Sequence, residues 1–346
     1  MALSKLSGDE QGIIFLQLCN PLEPRIAVDF SSASSELRAL LLPALRQQLR
    51  TDHEEAAALC LKIGMRSCKE LREAKVVVWC HEGLPVADLV TLGRLGSVLP
   101  ALETLSFFDL ASTAADPEGV QQLVEGLGAG ALPSVTSFAL VNMHMGGGSG
   151  AEALAAALGR GALPRLNTLQ LNACAIGDTG LVALAPVLRR MPALERLHLP
   201  FNPFGDEGLA ALVTPPPLLA GAPPPPTGVL AKLKRLGLEN TKISDAGCAA
   251  LVVAIDSDAL PALEGISLEG SLASDAAKEA VYEAVVRAAD AAADVAEAAA
   301  KEAEAAAEAA EAAAAEAEAA VEAAADAAEA AVARCARIVG GGSARS

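Results

Sequence analysis

Aromatic side chains are nearly missing: one tryptophan, one tyrosine and seven phenylalanines in 346 residues. Hydrophobic residues still make up 52%. Alanine supplies much of that total, so the bulk figure overstates the area the chain can bury. Positive charge is short as well, with 26 Lys and Arg against 43 Asp and Glu, a net of −17. Twelve acids and one lysine, Lys301, put −11 of this between Asp290 and Glu329 and leave −6 for the rest. Neither part is built to neutralise phosphates, so nucleic acid is not an expected partner. No uninterrupted apolar run is long enough to span a bilayer, and carboxylates break the alanine-rich C-terminal tract throughout, so no membrane partner is expected either. Residues 1–11 have no apolar core and carry Asp9 and Glu10, unlike a secretory signal. The seven cysteines are odd in number and form no CxxC pair. Reduced thiols in a cytosolic or nuclear protein are the expectation.

Catalytic signatures are also missing. The four histidines, His53, His81, His144 and His198, belong to no HExxH, and there is no GxSxG. Cys60, Cys68 and the Cys80–His81 pair are spaced by eight and twelve residues, which fits no common zinc module. The glycine-rich stretch 146–150 lacks the Gly-Lys-Ser/Thr ending of a phosphate loop. The expectation is a protein that is not an enzyme and has no cofactor and no metal.

What the chain does have is a repeat. Leu163, Leu166, Leu169, Leu171, Cys174, Ile176, Asp178, Gly180 and Leu181 fill the same frame as Met191, Leu194, Leu197, Leu199, Asn202, Phe204, Asp206, Gly208 and Leu209. The frame is LxxLxLxx(N/C)x(I/F)GDxGL. It returns at Leu233, Leu236, Leu238, Thr241, Ile243 and Asp245, at Leu263, Ile266 and Leu268, and earlier at Val135, Phe138 and Leu140 and at Leu102, Leu105 and Phe107. A weaker leading copy uses Val76 and Val78 with Trp79. The leading positions are 33, 31, 28, 39 and 30 residues apart, enough for a strand and a full helix per unit. The 39-residue spacing holds a proline-rich insertion, residues 214–228, expected to leave the repeats as a loop.

Over residues 75–286 this pattern resembles the ribonuclease-inhibitor-like class of leucine-rich repeats. The resemblance implies an α/β solenoid of six to seven repeats, with a curved parallel sheet on the concave face and helices on the convex face. It also implies a binding scaffold. In each unit the LxL leucines point inward, and no single unit can bury its apolar face without a neighbour. Asp178, Asp206 and Asp245 sit where a helix N-cap carboxylate is expected. Leu181, Leu184 and Leu188, like Cys248, Leu251 and Ile255, have the spacing of a buried helix stripe.

Strand alternation puts Thr104, Ser106, Phe108, Ser137, Ala139, Val141, Thr168, Gln170, Asn172, Arg196, His198, Arg235, Glu239, Ser267 and Glu269 on the concave face. Phe108, Gln170, Asn172, Arg196, His198, Arg235 and Glu239 are the candidate partner-binding residues. Arg196 and Arg235 occupy the same slot of adjacent repeats and predict a protein partner with an acidic segment. With no nucleophile or carboxylate pair beside it in the sequence, His198 is a contact residue rather than a base.

Two flanks complete the chain. Residues 1–74 predict a helical cap, with an apolar patch at Ile13, Ile14, Leu16, Leu18 and Leu22, a helix from Ser35 through Leu49 and a second from Asp52 to Cys68. Within this segment Leu22, Pro24, Arg25 and Ile26 and the following apolar and serine-rich stretch are similar to an F-box. That resemblance implies an alternative role as substrate receptor of a cullin-type ubiquitin ligase. A third reading, GTPase activation of the Ran-activating type, follows from the shared repeat class and an acidic C-terminal region. Beyond the repeats, Ser274 and Asp275 match Ser244 and Asp245, and Val281 and Val285 match Leu251 and Ile255. The last repeat's helix should therefore run on through the alanine- and glutamate-rich residues 287–339, since alanine is the best helix former. Weak self-association through that helix is expected, and residues 340–346 form a glycine-rich tail.

Overall fold

The computed structural model describes residues 19–32, 43–81, 85–109, 117–145, 148–214 and 230–340. Helices α1 (Arg25–Ser32), α2 (Pro43–Lys62) and α3 (Cys68–Glu73) precede an alternating series. That series is β1 (Val76–His81), α4 (Val86–Leu95), β2 (Thr104–Asp109), α5 (Pro117–Glu125), β3 (Ser137–Val141), α6 (Ser149–Gly159), β4 (Thr168–Asn172), α7 (Asp178–Leu188), β5 (Arg196–His198), α8 (Asp206–Val213), β6 (Arg235–Gly237), α9 (Asp245–Asp256), β7 (Gly265–Ser267) and α10 (Asp275–Gly340). The seven strands form one sheet in sequence order, every pair parallel. Each strand-helix unit returns beside its predecessor, which is the solenoid predicted from the repeat.

The core lies between sheet and helices. Leu105, Phe107, Phe138, Leu140, Leu169, Leu171, Leu197, Leu199, Leu236 and Leu238 are all buried. Facing them, Leu181, Leu184 and Leu188 of α7, Cys248, Leu251 and Ile255 of α9 and Val281 and Val285 of α10 are buried too. At the first repeats aromatics replace leucine: the Trp79, Phe107 and Phe138 rings follow one another with centroids 6.2 and 6.4 Å apart.

The leading copy is in the other register. Val77 and Trp79 point inward, 2% and 3% exposed, while Val76 and Val78 face out at 56% and 50%. Trp79 pairs with Phe107 and Val76 with Thr104. With a period of two, shifting by one residue flips every side chain, and burying the single tryptophan decides between the two registers.

The repeat aspartates are not helix caps. Gly177 and Gly205 hold the N-cap positions of α7 and α8, and Ser244 caps α9 by accepting from the Ala246 N–H. Each aspartate reaches instead to the next repeat. Asp178 Oδ1 accepts from the N–H of Gly205 and of Gly208, both at 2.8 Å. Asp206 accepts from the Ser244 N–H at 2.9 Å and its hydroxyl at 2.5 Å. Asp245 accepts from the Ser274 N–H at 2.6 Å and its hydroxyl at 3.1 Å. Gly208 and Gly247 make room for the first two of these contacts. A Cβ on Gly208 would lie 2.9 Å from Asp178 Oδ1, and one on Gly247 would overlap Asp206 Oδ1. The GDxG step thus records contact between repeats. Ser274, whose hydroxyl accepts from the Ala277 N–H, opens α10.

The Asn/Cys slot is a second clasp. Asn202 is buried; its Oδ1 accepts from the N–H of Cys174 and Ile176, and its Nδ2 donates to the carbonyls of Leu171, Leu199 and Pro200. Cys174 donates its thiol to Leu140 O at 3.2 Å, and Thr241 its hydroxyl to Leu238 O at 2.9 Å. Met143 fills its slot by packing alone, fully buried.

The N-terminal helices differ from expectation. A single helix, α2, runs from Pro43 to Lys62 where two were predicted, because nothing near Arg50 and Thr51 breaks it. Gly64, at φ +78, ends the excursion. Ser67 then accepts from the Glu70 N–H and starts α3 at Cys68. The predicted patch at Ile13, Ile14, Leu16 and Leu18, the helix start at Ser35 and residues 215–228 of the proline-rich insertion lie outside the described residues.

By contacts the chain divides into residues 1–289 and 290–346. Helix α10 is continuous from Asp275 to Gly340, as the register argument predicts. Its first turns are held by the buried Val281, Ala284 and Val285, and the Tyr282 hydroxyl accepts from Leu268 N–H at 3.4 Å. Anchoring those turns supplies the costly helix nucleus, and alanine propagates the rest. Residues 290–316 are exposed. No helix among the described residues is long and apolar enough to cross a membrane.

Candidate functional site on the open sheet face

Three rows of side chains cross the sheet face turned away from the helices. The first runs Val76, Thr104, Ser137, Thr168, Arg196, Arg235 and Gly265. The second runs Val78, Ser106, Ala139, Gln170, His198, Gly237 and Ser267. The third begins Cys80, Phe108, Val141 and Asn172. It continues past the short strands β5 and β6 through Pro200 to Glu239 and Glu269, where the Phe201 N–H donates to Glu239 O and the Asn240 N–H to Glu269 O.

Arg196 and Arg235 are direct cross-strand partners and both exposed. Neither makes an ion pair among the described residues; Arg196 Nη1 only approaches the Thr168 hydroxyl, at 3.5 Å. Lys234, the residue before Arg235, is paired with Glu195 at 3.4 Å. Like charges directly opposite one another on a sheet are unfavourable, so folding alone does not account for the pair.

His198 is half-buried between these arginines and Glu239. Burial lowers its pKa from the ordinary imidazole value; Glu239 pulls it up, and Arg196 and Arg235 push it down. Gly237 beside it carries no side chain, and a Cβ there would lie 3.0 Å from both His198 Nδ1 and Glu239 Oε2. The carboxylate and imidazole therefore lean over the same glycine.

Of the seven residues singled out in the sequence, Gln170, Asn172, Arg196, His198, Arg235 and Glu239 gather on β4–β6 and the turn after β6. Phe108 does not join them. It is on β2, three strands from β5, or about 14 Å at the usual strand spacing. Ser106, Ala139 and Thr168 face the same way but are 7%, 2% and 8% exposed, too overshadowed by neighbours to serve as contacts. The aromatic that does stand beside the cluster is Phe201, 61% exposed. It escaped the sequence reading because it lies outside the strand alternation, in the turn that follows. The signal was there: its slot holds Asn142, Ala173, Asn240 and Gly270 in four of the other repeats.

Cys60 and Cys68 have sulfurs 4.0 Å apart, and Cys68 Sγ is 4.0 Å from His53 Nδ1, whereas Cys80 is exposed on the sheet face. No group of three ligating residues among those described could hold a metal ion.

A comparison with curated proteins found no match. A family profile described as Leucine Rich repeat matches residues 163–185 and 191–213, the two units from Leu163 and Met191 in which the frame is most complete. The chain thus carries leucine-rich repeats, within a seven-stranded parallel solenoid whose open face presents the Arg196–Arg235 pair.

Proposed function

We propose that the protein is a non-catalytic interaction scaffold that binds a protein partner on the open face of its sheet. Leucine-rich repeats commonly mediate protein–protein contact, and an acidic partner segment fits the site. The observation that carries this reading is the exposed Arg196–Arg235 pair, side by side and without an ion pair among the described residues, in a chain of net charge −17. Arginine is well suited to carboxylate recognition because its planar fork bonds both oxygens. Gln170, Asn172, His198 and Glu239 surround the anchors, and Phe108 extends the surface toward the N-terminal repeats. Residues 1–74 serve as cap, 75–286 as binding domain and 287–339 as a helical rod capable of weak self-association.

Partner recovery from the full chain should fall sharply in Arg196→Glu/Arg235→Glu while the thermal midpoint stays within a few degrees. Unchanged recovery would move the site elsewhere. A second reading, docking of a Skp-type adaptor, is favoured by α1, which exposes Ile26 and Val28 at 39% and 42%. Adaptor co-purification lost in Ile26→Glu/Val28→Glu supports it.

A further inference from the structure

Helices α2 and α3 meet over a pair of thiols. After α2 the chain folds back on itself: the Met65 N–H donates to Cys60 O at 2.8 Å, and Gly64 takes φ +78, which suits glycine. The Ser67 cap then starts α3 at Cys68. This tight return sets the Cys60 and Cys68 sulfurs 4.0 Å apart. A disulfide needs them about 2 Å closer, a distance that side-chain rotation and a small shift of the turn can close. Both thiols belong to the core cluster that includes Leu71 and Trp79, with Cys60 1% and Cys68 7% exposed.

The pair sits where the N-terminal segment is fastened. His53 of α2 donates its Nδ1 proton to Pro21 O at 2.6 Å, and the same nitrogen lies 4.0 Å from Cys68 Sγ. Arg72 of α3 pairs with Glu23, just before α1. The stretch leading into α1 is thus tied to α2 by one bond and to α3 by another, and the relation between α2 and α3 decides whether both ties hold at once.

We propose that Cys60 and Cys68 are a redox modification site, converted by a hydroperoxide into a disulfide that staples α2 to α3 and firms the N-terminal cap. Cys68, the less covered thiol, reacts first. Its sulfur takes one peroxide oxygen to become a sulfenic acid, the O–O bond breaks, and hydrogen peroxide leaves as one water. Burial raises the pKa of the Cys60 thiol, so it keeps its proton until it meets the sulfenic acid. There the S–S bond forms, the S–O bond breaks, and the oxygen departs with the Cys60 proton as a second water. Two thiols are oxidised by two electrons and one peroxide is reduced to two waters. A small dithiol reverses the step by thiol–disulfide exchange. None of this depends on the scaffold reading.

The full chain, treated with hydrogen peroxide without denaturant, tests the assignment. Remaining thiols are blocked with N-ethylmaleimide before digestion by trypsin without reductant. Cleavage after Arg50, Lys62, Arg66 and Lys69 places Cys60 on peptide 51–62 and Cys68 on peptide 67–69, so only a disulfide keeps them together. The joined pair should appear from monomeric chain, lighter by two hydrogens than its two peptides, and disappear with dithiothreitol. The closed loop is short, so the thermal midpoint should rise by only about 2–4 °C on oxidation. Cys60→Ser should lose both the joined pair and the rise, and dimedone should then label Cys68 as its sulfenic acid. Exposed Cys80 reports that the oxidant has acted. If Cys80 is oxidised while the two peptides stay separate, or if they join only after unfolding in urea, the site is wrong. A joined pair with an unchanged or lowered midpoint would overturn the staple.

Discussion

Asp178→Ala separates a clasp between repeats from a helix cap. Asp178 Oδ1 receives two backbone N–H groups of the following repeat, from Gly205 and Gly208 at 2.8 Å each. Gly208 is buried and Gly205 half-buried, so water replaces the lost acceptor poorly. A hydrogen bond to a charged group contributes about 1.5–3 kcal/mol. Two bonds sharing one oxygen, partly open to solvent, place the cost of Asp178→Ala at about 2–4 kcal/mol, above the ~1 kcal/mol of an ordinary cap. Asp178→Asn, which keeps an acceptor oxygen but not the charge, should lose roughly half of that. The control is Asp275, the same motif position in the last unit. It has no following repeat, and its side chain is fully exposed beside Lys278. Asp275→Ala should leave the urea midpoint unchanged. Urea unfolding followed by circular dichroism, read against the repeat domain's transition, measures all three. Equal losses for Asp178→Ala and Asp275→Ala would return both aspartates to a capping role and refute the clasp.

Asn202→Ala should cost about 3 kcal/mol or more in the same assay, because it strands the buried N–H groups of Cys174 and Ile176 and takes a donor from the carbonyls of Leu171 and Leu199; a loss under 1 kcal/mol would show that the slot tolerates any small residue. The His198 ring, followed by NMR, should titrate below the ordinary value of about 6.5 because burial disfavours its charged form. The folded state then binds this proton less tightly than the unfolded chain, so His198 makes acidification below about pH 6.5 destabilising. Glu239→Gln, by removing the one charge that raises the pKa, should move it lower still, and an upward move would contradict the geometry over Gly237. In native alkylation Cys80, exposed on the sheet face, should react before the buried Cys60, Cys68, Cys174 and Cys248. Burial pushes the Cys60 and Cys174 thiols up to about 12, so both should stay protected until unfolding; early labelling of Cys174 would mean that the solenoid opens locally between its repeats.

The solenoid was legible because its signal is periodic and redundant: six frames each predict the same strand, and three of them the same buried helix stripe. Where only one frame carried the information, as at Val76–Trp79, the register came out shifted by one, since three valines in a row do not say which faces inward. The aspartates were located correctly but misread. A carboxylate at the first turn of a helix looks like a cap in one dimension, and only the stacked neighbour shows that its oxygen serves the next repeat. The glycine two residues later held that information, because a close approach is the reason to exclude a side chain. At the candidate site, strand alternation led to the paired arginines, since equal slots in successive repeats become neighbours. It missed Phe201, which lies beyond the strand in a turn whose handedness no alternation rule describes.

Photo-crosslinking from the open face bears most directly on the scaffold reading. A photoreactive residue replaces Gln170 on β4, next to His198, or Val182, exposed at 40% on the helical side. Partner adducts should form from position 170, weaken as salt rises and disappear in Arg196→Glu/Arg235→Glu. Adducts formed from position 182 and not from 170, indifferent to the arginine reversals, would contradict the account.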